Sequence, residues 1–493
     1  MTRKRALRCV WRGGFASFVV AVGLALAVTP AASAVTLLQI SSDPYTNTDS
    51  QHATEVEPDT FAAGSTIVST MQVGRFFSGG ASNIGFATST NGGRSWTAGF
   101  LPGTTPFSTP ASTVWARASD PSVAYDAKHG AWLISFLGLF PNGAGSTVDV
   151  LVSRSTNGGL SWSNPIPINT DGHFNDKNWT VCDNTASSPF YGNCYTEYDD
   201  NTLGDLIQMS TSHDGGLTWG PGLPTANNAH GIGGQPLVQP SGRVIVPING
   251  FAGVNFLIVA FTSDDGGASW SKTNIVARVA FRRPAGNLRA TIPLPSAETD
   301  AAGKVYVVWS DCHFEPTCPA SDLVLSTSTD GKAWSKLTRI PLDPIGSGVD
   351  HFIPGLAVDP TTSGSRAHLV ATFYYYPLSN CTTATCQLNV GYATSRDGGA
   401  TWTRNTQLAG PMSLTWLANT SQGFMVGDYI STSFSGAPAY PAFALANAPS
   451  GGLFDEATYT VAGGLRVNGA IAALDQANAG STDTLTTSTL TAQ

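Results

Sequence analysis

Three acids stand at the starts of similar segments along the chain: Glu57 in EPDTF (57–61), Asp120 in DPSVAYD (120–126) and Asp428 in DYISTSF (428–434). Carboxylates gathered in one place raise one another's pKa values, as a general acid requires. Two of them facing a glycosidic bond would satisfy hydrolysis in either stereochemical mode. Aligned with four further segments, they give a ring of Glu57, Asp120, Lys177, Gln235, Leu294, Ile353 and Asp428. Asp120 or Glu57 is the candidate acid/base and Asp428 a candidate partner. Asp before Pro is also a common turn former, so the same acids equally suit strand starts that need capping.

Cations accompany the acids. Arg117 is three residues before Asp120, Arg75 ends the second strand-like run, and Arg282, Arg283 and Arg289 precede the fifth inner segment. Together with Lys177 they could hold a substrate carboxylate, the arginines bidentately, or could pair with neighbouring acids instead. The tyrosine run Tyr374, Tyr375 and Tyr376 and the pair Asp350-His351 are candidates for the same rim, with Tyr375 and His351 the choices; His173 is a further one.

These residues need a scaffold, and the repeats supply it. Near-copies of one turn recur as STNGGRSW (89–96), STNGGLSW (155–162), SHDGGLTW (212–219), SDDGGASW (263–270), STDGKAW (328–334) and SRDGGATW (395–402). Their tryptophans are spaced about 51 to 68 residues apart, room for a four-stranded sheet. Three strand-like runs precede each turn and one follows, the order of a β-propeller blade. The expectation is an all-β fold: one propeller over 35–467 with seven four-stranded blades (six being the alternative). Thr36 to Ser41 would supply the outer strand beside Ala457 to Ala462 and close the ring, leaving no open edge. Residues 468–493 read as a flexible Ser/Thr/Ala-rich tail.

Within each turn the Asn or Asp (Asn91, Asn157, Asp214, Asp265, Asp330, Asp397) can bind its own backbone amides, and glycine supplies positive φ. The tryptophan (Trp96, Trp162, Trp219, Trp270, Trp334, Trp402) packs on the sheet. Every element has a structural task, so the repeat is a staple rather than the chemistry.

The N-terminus carries Arg3, Lys4, Arg5, Arg8 and Arg12, an apolar run from Phe15 to Val28, and Ala32-Ser33-Ala34. That pattern is a secretory signal peptide over 1–34, cleaved near Ala34. Its removal takes five of the 25 Lys and Arg and none of the 33 Asp and Glu, so the net charge moves from −8 to −13. An acidic, exported chain is a poor partner for nucleic acid or an anionic membrane. Six cysteines remain, and closing short loops favours Cys182–Cys194, Cys312–Cys318 and Cys381–Cys386. Their spacing suggests no zinc site; no metal, cofactor or further membrane span is expected, and a monomer is.

The six turns match the Asp-box (BNR) motif, Ser-x-Asp-x-Gly-x-Thr-Trp. At this spacing the chain resembles the sialidase-like Asp-box propellers and the secreted bacterial "sialidase family" proteins over roughly residues 36 to 467. The resemblance implies a secreted protein directed at an extracellular glycan or glycoconjugate, a sialidase-like exo-glycosidase acting on sialic or uronic acids. It would also let a tyrosine such as Tyr375 act as nucleophile. The chain departs from true sialidases in two respects. They have six blades, and their Phe/Tyr-Arg-Ile-Pro motif precedes the first box, whereas the nearest match here, Phe281-Arg282-Arg283-Pro284, follows the fourth. Alternatives are a polysaccharide lyase with His351 or Tyr375 as base, and a non-catalytic glycan- or surface-binding propeller.

Overall fold

The computed structural model describes residues 1–2, 35–141, 147–253, 255–467, 472–473 and 475–476. The leader expected over 1–34 and most of the tail therefore lie outside the described residues. The fold occupies the unit Thr36–Gln493. It is all-β: among the described residues only three single-turn 3-10 helices interrupt the strands.

The strands form antiparallel units in chain order. The first runs from Gln51–Ala63 to Thr97–Phe100, the second from Arg117–Asp126 to Ile166–Asn169, and the third from Asn175–Cys182 to Leu223–Pro224. The fourth has a split first strand (Gly231–Ile232 and Leu237–Val238) and ends at Asn274–Arg278. The fifth runs from Ser296–Thr299 to Thr338–Arg339, and the sixth from Asp350–Val358 to Thr406–Ser413. A seventh is built from Ser431–Phe434, Ala439–Ala446 and Glu456–Val461, and Leu37–Gln39 pairs with its last strand. Two short tail segments also pair with strands, 472–473 with Thr401–Trp402 and 475–476 with Thr338–Arg339.

Apolar side chains pack between units rather than within them. Val68, Ile84 and Phe86 of the first meet Trp132, Ile134 and Leu151 of the second. Tyr306, Val308 and Leu325 of the fifth meet Leu356, Leu369 and Phe373 of the sixth. Each sheet is thus buried on both faces, and stacked sheets of this kind hide their alternation.

Polar links join each unit to the next. Val123 N–H donates to Asp59 Oδ2 (2.7 Å), Thr180 N–H to Ser122 Oγ (3.0 Å), and Gly234 N–H to Glu197 Oε2 (3.1 Å). Ala297 N–H donates to Gln235 Oε1 (2.5 Å) and Leu356 N–H to Ser296 Oγ (2.9 Å). The Thr372 and Thr432 hydroxyls lie 2.7 Å apart, and Ser433 Oγ donates to Thr60 O (2.7 Å).

The Asp-box turns sit at the seams. In the first box Asn91 Oδ1 accepts from the amides of Arg94 and Ser95 at 3.1 and 3.0 Å, and Ser89 Oγ accepts from Gly93 N–H at 2.9 Å. Gly93 has φ +75°, and a Cβ there would lie 2.2 Å from the Tyr440 ring of the last unit. Gly159 of the second box meets Val68 and Thr88 of the first unit in the same way. Each of these turns touches the preceding unit, which only glycine permits at that distance. The three disulfides pair as the short-loop argument expects.

Candidate functional site

Four inner strands share one distortion. Glu57, Asp120, Lys177 and Ile353 all have φ near +50° (53°, 50°, 50° and 51°). Each lies where its ladder slips, between Val56 and Asp59, Ser119 and Ser122, Asp176 and Trp179, and Phe352 and Gly355. These are β-bulges, which re-aim side chains and accompany functional sites, and a non-glycine residue at positive φ costs about 1–3 kcal/mol. The ring read from the sequence is therefore bulged at four of its seven positions. Three of its members converge with Asp428.

Lys177 Nζ lies 2.7 Å from Asp120 Oδ2, 2.6 Å from Asp428 Oδ2 and 3.5 Å from Glu57 Oε1. Arg289 clamps Asp428 bidentately, Nε to Oδ1 at 2.9 Å and Nη2 to Oδ2 at 2.5 Å. Gln72 donates to Glu57 and accepts from Arg75 Nη1 at 2.5 Å. Burial opposes ionisation of Asp120, but the Lys177 ammonium outweighs it and holds the carboxyl below its ordinary range. Asp428 is held far below that range, Arg289 and then Lys177 overcoming burial. Glu57 goes the other way, pushed up to about 7 by burial and then by the charge of Asp120, and it is 0% exposed.

A depression opens beside this cluster in two lobes that share Asp176, Arg289, Ser421 and Gln422. One, about 210 Å³, is walled by Arg75, Arg117, Asp120 and Asp176. The other, about 520 Å³, is walled by Asp176, Lys177, Arg283, Arg289 and Asp428. Loops entering the inner strands and loops between second and third strands, such as Gly79-Gly80 and Phe140-Pro141, form the walls; the Asp-box turns do not.

Arg117 lies over the Phe76 ring at 4.1 Å and donates to Ser78 Oγ and Gly79 O at 2.8 and 2.9 Å. Arg75 is 3% exposed, and burial followed by the nearby Arg289 charge lowers its pKa to about 10. Neither of these, nor Arg283, makes an ion pair within 4.0 Å among the described residues, whereas Arg282 pairs with Asp350 at 2.7 Å.

Five expected residues do not border the depression: Glu57 is buried, Arg282 and His173 pair with Asp350 and Asp200, and His351 and Tyr375 lie elsewhere. His351 and Tyr375 are cross-strand partners in the sixth unit, 0% and 7% exposed, with ring centroids 6.0 Å apart and Phe373 beside them. They are core, not rim, because the Asp350–Val358 strand is buried along its whole length. Burial lowers His351 to about 4 and raises Tyr375. Tyr374 and Tyr376 are buried too, donating to Ala444 O at 2.7 Å and Ala285 O at 3.2 Å.

The residue that sequence reasoning missed is Asp176. It borders both lobes, and among the described residues no cation lies within 4.0 Å of its carboxylate. Its pKa rises to about 6 through burial and then through the charge of Asp120. Opposite it in the ladder stands Asp199, 0% exposed, with neither carboxylate oxygen hydrogen-bonded. Only the adjacency of Asp176 to Lys177 in the bulge could have pointed to it.

Comparison with known proteins agrees with the motif reading. Residues 145–353 match the BNR repeat-like domain. The resemblance to the Asp-box (BNR) repeats holds over that stretch. Among solved structures it is similar to a PL25 polysaccharide lyase, an ulvan lyase bound to -[GlcA(1-4)Rha3S]-. The TM-score is 0.51 at 11% identity, over 86% of this chain and 96% of that one. Hadza microbial sialidase Hz136 follows at 0.45 and 12%, over 77% and 72%. The NanB sialidase of Streptococcus pneumoniae is at 0.41 and 15%, over 88% and 71%. No curated protein sequence matches.

Proposed function

We propose that the chain is a secreted, closed seven-bladed propeller that hydrolyses glycans bearing sialic or uronic acids. The hydrogen bonds that run from each unit to the next and from the last to the first support closure. Three disulfides, and the absence of any membrane-length apolar helix among the described residues, are consistent with export. The observation that carries the glycan reading is the trio Arg75, Arg117 and Arg283, which wall the depression without an ion pair among the described residues. An acidic sugar would supply the missing anion.

In this reading Asp176, not Asp120 or Glu57, is the proton donor. Asp120 and Asp428 are neutralised by Lys177 and Arg289 and stay ionised, and Glu57 is sealed from the depression. The Asp176 carboxyl gives its proton to the glycosidic oxygen as the bond to the anomeric carbon breaks, the electron pair leaving with that oxygen. The carboxylates of Asp120 and Asp428 stabilise the positive charge that develops on the sugar. A water then adds to the anomeric carbon and returns a proton to Asp176.

The neutralised acids favour a second reading, a binding propeller without catalysis. The lyase reading loses its base, since His351 and Tyr375 are core. Product release from sialylated and uronic-acid glycans by wild type and Asp176→Asn, with binding measured in parallel, decides. Hydrolysis by wild type lost about 10²–10⁴-fold in the variant supports the enzyme. Saturable binding with no release from any glycan supports the binding module.

A further inference from the structure

Ligand-type side chains meet at a second place, the seam between the fifth and sixth units, where none of them borders the depression. Asp322 opens the strand Asp322–Ser328, Asp343 lies in the connection that follows Thr338–Arg339, and His351 is the second residue of Asp350–Val358. One donor atom from each of the three lies within 4.8 Å of the others. Arg339 braces the carboxylates, its Nη2 at 2.8 Å from Asp322 Oδ1 and 3.0 Å from Asp343 Oδ1.

The guanidinium takes one oxygen of each acid and Ser347 Oγ donates to the other oxygen of Asp343, which leaves a polar remainder. Asp322 Oδ2 and both ring nitrogens of His351 have no hydrogen-bond partner, although His351 is 0% exposed and Asp322 is 2% exposed. Each such buried atom costs about 1–3 kcal/mol unless a water or an ion satisfies it. The imidazole cannot turn away, because Tyr375 stacks on its face and Phe373 meets its edge. A neutral imidazole held in this way offers the lone pair that a metal needs.

The donor set is one imidazole nitrogen with carboxylate oxygens from two acids. That set suits a zinc-class ion, whose bonds of about 2.0–2.2 Å require the donors to draw together by about an ångström. We propose that Asp322, Asp343 and His351 bind one divalent transition-metal ion. Arg339 orients both carboxylates through its guanidinium, as a ligand's outer hydrogen-bond partners do. The ion ties the fifth unit to the sixth. It also fixes the connection in which Gly346 N–H donates to Glu315, at 3.0–3.1 Å, in the loop closed by Cys312–Cys318. The sequence led us to expect no metal, and the proposal does not depend on the glycan reading.

The test uses the untagged full chain, stripped with chelator and titrated with Zn²⁺ by calorimetry and with Co²⁺ by visible absorption. One equivalent bound by wild type is expected, with affinity reduced roughly 100-fold or more in His351→Phe, which keeps the ring stack. Should that variant fail to fold, Asp343→Asn, at the most open of the three positions, takes its place. No uptake by wild type would leave only water at the seam and overturn the proposal. So would uptake that survives His351→Phe but disappears in His173→Asn, which would put the ion at the Asp171, His173 and Asp200 cluster instead.

Discussion

Asp176 and Asp199 face each other across the antiparallel ladder of the third unit, one beside the depression and the other sealed behind it. Both carboxyls are raised, Asp176 to about 6 and Asp199 well above the ordinary carboxylate range, by burial first and by neighbouring acids second. A folded-state pKa above the unfolded value means that the native state holds the extra proton. The stability from that protonation is complete below about pH 4 and is lost as pH rises through about 6 and beyond. Asp199→Asn removes the deeper of the two titrations. Wild type is expected to lose melting temperature from pH 5 to pH 8, and the variant to lose less. Parallel pH profiles by calorimetry would show that the Asp199 proton does not belong to the native state.

Lys177 stabilises the site only as long as its acids are there to meet it. Its ammonium is 7% exposed and touches carboxylates from the first, second and seventh units. Lys177→Met leaves Asp120 and Glu57 as buried charges without that partner, a defect worth about 3–5 kcal/mol. The urea midpoint should fall accordingly, and Asp120 should titrate above the position it holds in wild type. An unchanged midpoint would mean that the cluster is wet and screened.

The arginines divide by their partners. Arg283 borders the depression without an ion pair among the described residues, whereas Arg282 is tied to Asp350. Arg283→Ala and Arg117→Ala are each expected to weaken binding of a sialylated oligosaccharide about tenfold or more, the value of a charge-assisted hydrogen bond. Arg282→Ala is expected to lower the melting temperature and leave binding alone. Calorimetric titrations on the three variants check this, and equal losses in all three would point to a diffuse field instead of a site.

The scaffold was more legible than the site. Turn chemistry is local, so six Asp boxes and the short-loop disulfides could be read from neighbouring residues alone. The inner ring was legible because its residues recur at matching places in similar segments, although the strands begin two to six residues before the bulges that the sequence took for strand starts. What pairs within it was not, since Lys177 and Asp428 are 251 residues apart and their contact depends on how the strands assemble. His351 and Tyr375 were misplaced for a different reason. Their strands are buried on both faces, and alternation cannot separate core from rim there.

The seams make the last prediction. Gly92 and Gly93 both have positive φ, +69° and +75°, so alanine at either is strained by about 1–2 kcal/mol. At Gly92 a Cβ meets nothing within 4 Å, but at Gly93 it would lie 2.2 Å from the Tyr440 ring. The Tyr440 hydroxyl also donates to Gly92 O at 2.7 Å, which holds the ring in place. Gly93→Ala must push the first and last units apart, so it should cost well beyond the strain alone, while Gly92→Ala costs only the strain. Denaturant midpoints measure the difference. Gly93→Ala with Tyr440→Ala should recover most of it, because the clash has then lost its second body; a double variant no better than the single one would place the cost in the turn itself.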